Sequence, residues 1–250
     1  MYVVGIDENG LGPRLGPMVT TAVTLSLGSR YRAEKWRDRG LALGLTDSKL
    51  TASTKKMAFA ESVALAIASL SDVHPEMRAS SYLGALHLDG DLGLRAPCPT
   101  SASRALCHSH DLELPAFGGS ADEGRAILAP LLRGAGKLRI VRARSVVSCA
   151  YVLNEANAKG TNKLVLDLAA MERLALDARG SVDADLLALC GMIGGIRDVP
   201  KFATHLPRDA FTPLEEAKAR RAYRVDTLGE LVFEVDADAT HLPVALASLV

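Results

Sequence analysis

Aromatic side chains are scarce in this chain: 4% of its 250 residues are Phe, Trp or Tyr, too few for the stacking platforms that hold single-stranded nucleic acid. Net charge is missing too, with 29 basic residues against 29 acidic ones, which excludes a uniformly basic coat for nucleic acid. No window holds the roughly 18 uninterrupted apolar residues that span a bilayer. The opening MYVVGIDENG lacks the basic region and cleavage pattern of a secretory leader, so a cytoplasmic protein without membrane contact is expected. Four cysteines, Cys98, Cys107, Cys149 and Cys190, are too dispersed for a disulfide scaffold and fit reduced thiols. What remains is a 48% hydrophobic, 23% charged chain, long enough to bury a substantial core.

Hydrophobic spacing predicts an α/β domain. Residues 3–7 form a short apolar run ending in two acids, and residues 18–27 read as a second strand rich in Val and Thr. The turn residues between them predict a hairpin whose first strand is buried. Met57, Val63, Ile67 and Leu70 recur at helical spacing after Thr51 or Ser53 as cap. Residues 74–120 lose any sustained period and read as an inserted segment within a single 1–250 domain. A helix over 121–132 and a basic strand over 137–147 follow. Asn162 then caps an amphipathic helix with Leu164, Leu168, Met171 and Leu174 inward. Strands over 186–190 and 231–235 follow, and Pro243 opens a last helix near His241.

Asp7 and Glu8 are the sharpest chemical feature. Two acids at the carboxyl end of a buried strand, with glycine-rich turns after them, stand where open sheets put their ligand sites; alone, they read equally as solvated turn acids. The run GIDENGLGPRLGPMVTTAVTL (residues 5–25) resembles the N-terminal motif of ribonuclease HII. LTDSKLTASTKK (45–56) is similar to that family's Asp-Ser-Lys signature, and VDADATHLPVALASLV (235–250) to its strand ending in Asp before an Ala/Ser-rich helix. NKLVLDLAAMERL (162–174) resembles its long central helix.

The resemblance implies an RNase H-like fold, a central mixed β-sheet flanked by helices, with four carboxylates holding Mg²⁺ or Mn²⁺ at strand ends. Carried over, Asp7, Glu8 and Asp238 are catalytic metal ligands, with Asp236 the alternative to Asp238 if the register shifts by two. Gly10, Leu11, Gly12 and Arg14, together with Asp47, Ser48 and Lys49, would meet the nucleic-acid backbone. The implied substrate is an RNA/DNA hybrid or ribonucleotide-containing duplex DNA, cut by two-metal-ion hydrolysis.

Two departures stand out. Where the family ends a strand in Asp-Gly-Asn, this chain has Cys190 before Gly191, so that a thiol occupies a position expected to hold a hard-cation ligand. Asp183, Asp185 and Asp198 are the nearby acids available to replace it. The family's Gly-Arg-Gly turn is here Gly10-Leu11-Gly12, without the arginine.

Charge is also segregated. No acid lies between Glu123 and Glu155, where Arg125, Arg133, Lys137, Arg139, Arg142 and Arg144 fall; no Lys or Arg follows Arg224, where Asp226, Glu230, Glu234, Asp236 and Asp238 fall. An acidic metal pocket beside a basic tract is expected, against the plainer reading of two solvated faces. Cys98, Cys107, His108 and His110 are zinc-capable residues at an unfamiliar spacing, in a segment that either covers the domain or binds a protein partner. The leading expectation is a ribonuclease HII-like endonuclease; the alternative is a catalytically impaired nucleic-acid or protein-binding module.

Overall fold

The structure, a computed structural model, describes residues 1–9, 17–45, 56–73, 78–98, 112–134 and 137–250. Its elements in chain order are β1 (Tyr2–Asn9), β2 (Met18–Ser26), α1 (Ala33–Leu41), α2 (Met57–Leu70), α3 (Ala79–Leu86), α4 (Gly90–Arg95), α5 (Ala121–Arg133), β3 (Arg139–Ser148), α6 (Ala150–Ala158) and α7 (Lys163–Gly180). They continue with β4 (Leu186–Gly191), α8 (Val199–Phe202), β5 (Phe211–Glu216), β6 (Arg220–Val225), β7 (Gly229–Glu234), α9 (Ala237–Thr240) and α10 (Leu242–Leu249). No helix among the described residues is long and apolar enough to cross a membrane.

The class is α/β: seven strands form one mixed sheet in the order β3-β2-β1-β4-β7-β6-β5. The neighbours β1, β4 and β7 run parallel, and the other pairings are antiparallel. β1 is central and covered on both faces, which is why it reads as a continuous apolar run rather than an alternating one. Its successive residues feed two cores. Val3 joins Val23, Trp36, Ile67, Leu128 and Val244 on one face, while Val4 and Ile6 join Leu168, Met171, Leu174 and Cys190 on the other.

Gly5 explains how close the first layer sits. A Cβ on Gly5 would lie 2.0 Å from the carbonyl carbon of Pro243, so α10 rests directly on the backbone of β1. Pro243 occupies the first turn of α10, where a missing N–H costs nothing. On the opposite face the Asn162 side chain caps α7 by accepting from the Leu164 N–H at 3.0 Å, and Leu168, Met171 and Leu174 are buried while Leu164 is half-buried. The Thr51 and Ser53 caps foreseen for α2 lie outside the described residues.

The aperiodic stretch contains more order than its composition signals. In its described parts, α3 and α4 are helices, and Tyr82 and Leu86 enter the first core. His87 bridges to Ser145 at the β3 edge of the sheet, and Asp89 pairs with Arg173 of α7 at 2.6 Å. The Glu61 carboxylate accepts from the backbone N–H groups of Ala116, Phe117 and Gly119, tying this segment to α2.

Candidate active site

The parallel strands β1, β4 and β7 bring their carboxyl ends to one side of the sheet, and the acids lie there. Asp7 and Glu8 are near the end of β1. Asp238 lies in the first turn of α9, just past β7, where Asp236 adopts a left-handed backbone (φ 52°) that turns the chain out of the strand. Asp7, Glu8, Asp236, Asp238 and Gly191 line a cleft of about 500 Å³. A Cβ on Gly191 would meet Asp7 Oδ1 at 3.2 Å and Glu8 Oε2 at 3.3 Å. These two oxygens are therefore within about 6.5 Å of each other, the sum of those distances, and the absent side chain keeps the space between them open.

Burial, followed by the charges of Glu8, Asp238 and Asp167, pushes the Asp7 carboxyl up to about 8. Asp236 lines the same cleft but is exposed, and Asp238 is the α9 acid whose charge reaches Asp7. The Asp238 side chain also accepts from the Ala239 N–H at 3.0 Å. Asn9 fixes the strand end by donating to the Ser248 carbonyl of α10 at 3.3 Å.

Cys190 pairs with Ile6 and Phe233 in the sheet register and is fully buried. Burial, with Asp167, Asp7 and Glu8 nearby, pushes its thiol well above the usual range, so it stands as a neutral group. None of the three acids foreseen as replacements lines this cleft. Asp183 and Asp185 precede β4 at the opposite end of the sheet, where Asp185 pairs with Arg224. Asp198 caps α8 by accepting from the Lys201 N–H.

Asp167, which sequence reasoning missed, is the carboxylate that does reach this region. It lies one turn into α7, fully buried, and the Thr20 hydroxyl donates to its Oδ1 at 3.2 Å. Burial and the Glu8 charge push it up to about 7, against the lowering effects of Thr20 and Lys163. The available signal was a charged residue three positions after Leu164 and four before Met171, on the face otherwise predicted to be apolar.

Charge segregation takes a different form from the one expected. The register sets Arg139 beside Ser26, which is level with Tyr2 at the end of the sheet away from the acids. Arg125 is paired with Asp122, and Arg142 with Asp177. Basic groups near the cleft come instead from Arg197, Lys218 and Arg221, which with Glu216 line a groove of about 610 Å³ sharing Met192 and Gly194 with the acidic cleft. Of the five late acids, Asp236 and Asp238 line the cleft, while Glu234 is held by Arg220 and His241.

Gly10, Leu11, Gly12, Arg14, Asp47, Ser48 and Lys49 lie outside the described residues, as do Cys107, His108 and His110. Among the described residues no three His, Cys, Asp or Glu side chains converge into a ready-made cation cage. Hard oxygen donors that share a cleft still fit Mg²⁺, which is ordinarily held by one or two carboxylates plus water and substrate phosphate rather than by an all-protein cage. No protein-family model and no curated protein matches the chain.

Proposed function

We propose that this chain is a ribonuclease HII-like endonuclease that hydrolyses the RNA strand of RNA/DNA hybrids at the Asp7–Glu8–Asp238 cleft. The observation that carries the reading is the set of acids gathered at adjoining strand ends, with Asp7 raised to about 8 by burial and by its neighbours' charge. Like charges held together in a partly buried site destabilise a fold, and they cluster where a cation or a reaction uses them. The mixed sheet with helices on both faces supports the same reading.

Asp7, Glu8 and Asp238 would hold Mg²⁺ or Mn²⁺, which supplies charge against the attacked phosphate and a water of lowered pKa. The chain's own part is positioning. Asn9 anchors the strand end to α10, and Gly191 keeps a backbone-lined gap between the first two acids. Arg197 and Lys218 offer phosphate partners along the adjoining groove. Arg221 props that groove's floor by donating to the Ile196 carbonyl at 2.9 Å.

The test is cleavage of an RNA/DNA hybrid in Mg²⁺ and in Mn²⁺, with Asp7→Asn expected to lose at least 100-fold in rate. No cleavage by the wild type, or cleavage undiminished in Asp7→Asn, would overturn the enzymatic reading. A second reading, a nucleic-acid-binding module without turnover, is favoured by the neutral, fully buried thiol at Cys190. It predicts hybrid binding that weakens with salt in a protein that never cleaves.

A further inference from the structure

Two acids of α7 are buried, and they are treated differently by the fold. Glu172 accepts from the backbone N–H groups of Thr204 at 2.8 Å and Leu206 at 3.0 Å, so both of its oxygens are satisfied and its role in holding that loop is plain. Asp167 has the Thr20 hydroxyl on Oδ1, while Oδ2 has no hydrogen-bond partner among the described residues. A fully buried carboxylate with one oxygen unused is costly, and an asparagine would serve Thr20 equally well without a charge.

The register and the Thr20 contact place the Asp167 carboxyl group on the Glu8 face of β1. Glu8 is the cross-strand partner of Thr20, and Ile6 that of Cys190. Alternation puts Ile6 and Glu8 on the α7 face of β1. Asp167 descends onto this face from α7, next to Glu8, with Cys190 in the same core. Asp7 follows Val3 and Gly5 onto the opposite face, the one covered by α10. The α7 side thus offers two acids and a thiol, with the thiol at the strand end and the extra acid on the helix above it.

We propose that Asp167 is the fourth carboxylate of the cation site, carried by α7 in exchange for the strand-end position that Cys190 occupies. The inference rests on the cation-site reading given above and adds a ligand to it. It makes the charge lost at the end of β4 reappear on the facing helix beside Glu8, with water and phosphate rather than an all-protein cage completing the shell. The unused Oδ2 is the donor atom, and the Thr20 hydroxyl is the group that orients it.

The experiment is Mn²⁺ binding by calorimetry to the full chain without nucleic acid, for wild type, Asp167→Asn, and Asp167→Asn combined with Cys190→Asp. Asp167→Asn is expected to weaken Mn²⁺ binding at least tenfold, and the double variant to return to within about threefold of wild type. The melting temperature of metal-free Asp167→Asn is expected to equal or exceed that of wild type, because the Thr20 contact survives and a buried charge is removed. Wild-type affinity in Asp167→Asn overturns the assignment, and so does a metal-free melting temperature that falls, which marks a merely structural acid. Weakened binding that Cys190→Asp does not restore overturns the exchange. Absence of Mn²⁺ binding by the wild type overturns the cation-site reading itself, a result distinct from the other three.

Discussion

Asp7 and Asp167 link the site to the stability of the whole chain through protons. Both have folded pKa values, about 8 and about 7, above the ordinary carboxylate value of 3.8. Between about pH 4 and about pH 8 the folded state therefore binds more protons than the unfolded one, and stability falls as pH rises through that window. Metal-free protein is expected to melt higher at pH 5.5 than at pH 8.5. Asp7→Asn should stabilise it at pH 8.5 by about 1–2 kcal/mol, less than the full shift implies because the group is partly open to water. The gap should shrink as pH falls and close near pH 4, where Asp7 is neutral in the unfolded chain as well as in the folded one. Thermal melts at both pH values check this, and a less stable Asp7→Asn at pH 8.5 refutes it. Asp7 and Glu8 were legible because they close an apolar run, and Asp238 through the resemblance of residues 235–250 to a family motif. Asp167 was hidden because a count of helical period registers the apolar positions and passes over the one charged residue among them.

The elements legible in the sequence were those buried by pattern. β1, β2, α2, α5, α7, β4, β7 and α10 carry their burial on many apolar residues, and β3 was legible as a basic strand. α1 was missed because Trp36 is its one large fully buried side chain, in an otherwise charged segment. β5 was missed because it is an edge strand containing Pro213 and exposed acids, with Leu214 open to solvent, so it has no alternation to read. Where layers meet, small residues decide the packing. Gly5→Ala would drive a methyl into the Pro243 backbone, which cannot yield as a side-chain tip does. A loss of about 3 kcal/mol or more is expected in urea unfolding. A loss below about 1 kcal/mol would mean that α10 is not seated on β1.

At the scale of the molecule, a formal charge of zero conceals an acidic cleft next to a basic groove. Sequence order alone placed the basic residues along the chain but not in space. Of the tract that looked continuous, Arg125 and Arg142 are spent on ion pairs and Arg139 lies at the far end of the sheet, whereas Arg197 and Lys218, twenty-one positions apart in sequence, line one groove in the fold. Replacing both by Ala is expected to weaken hybrid binding and to reduce the magnitude of the log affinity versus log salt slope by about 2. An unchanged slope would remove the groove from the nucleic-acid path.

The strand order also has a consequence for synthesis. β1 pairs with β2 at once, but its other partner, β4, begins about 160 residues after β2 ends. At ribosomal rates of about 5–20 residues per second, that edge of β1 waits roughly 10–30 s for its neighbour. During this interval the nascent chain presents an unpaired apolar strand edge, so the ribosome-bound intermediate, more than the finished protein, is the species that needs a chaperone's cover.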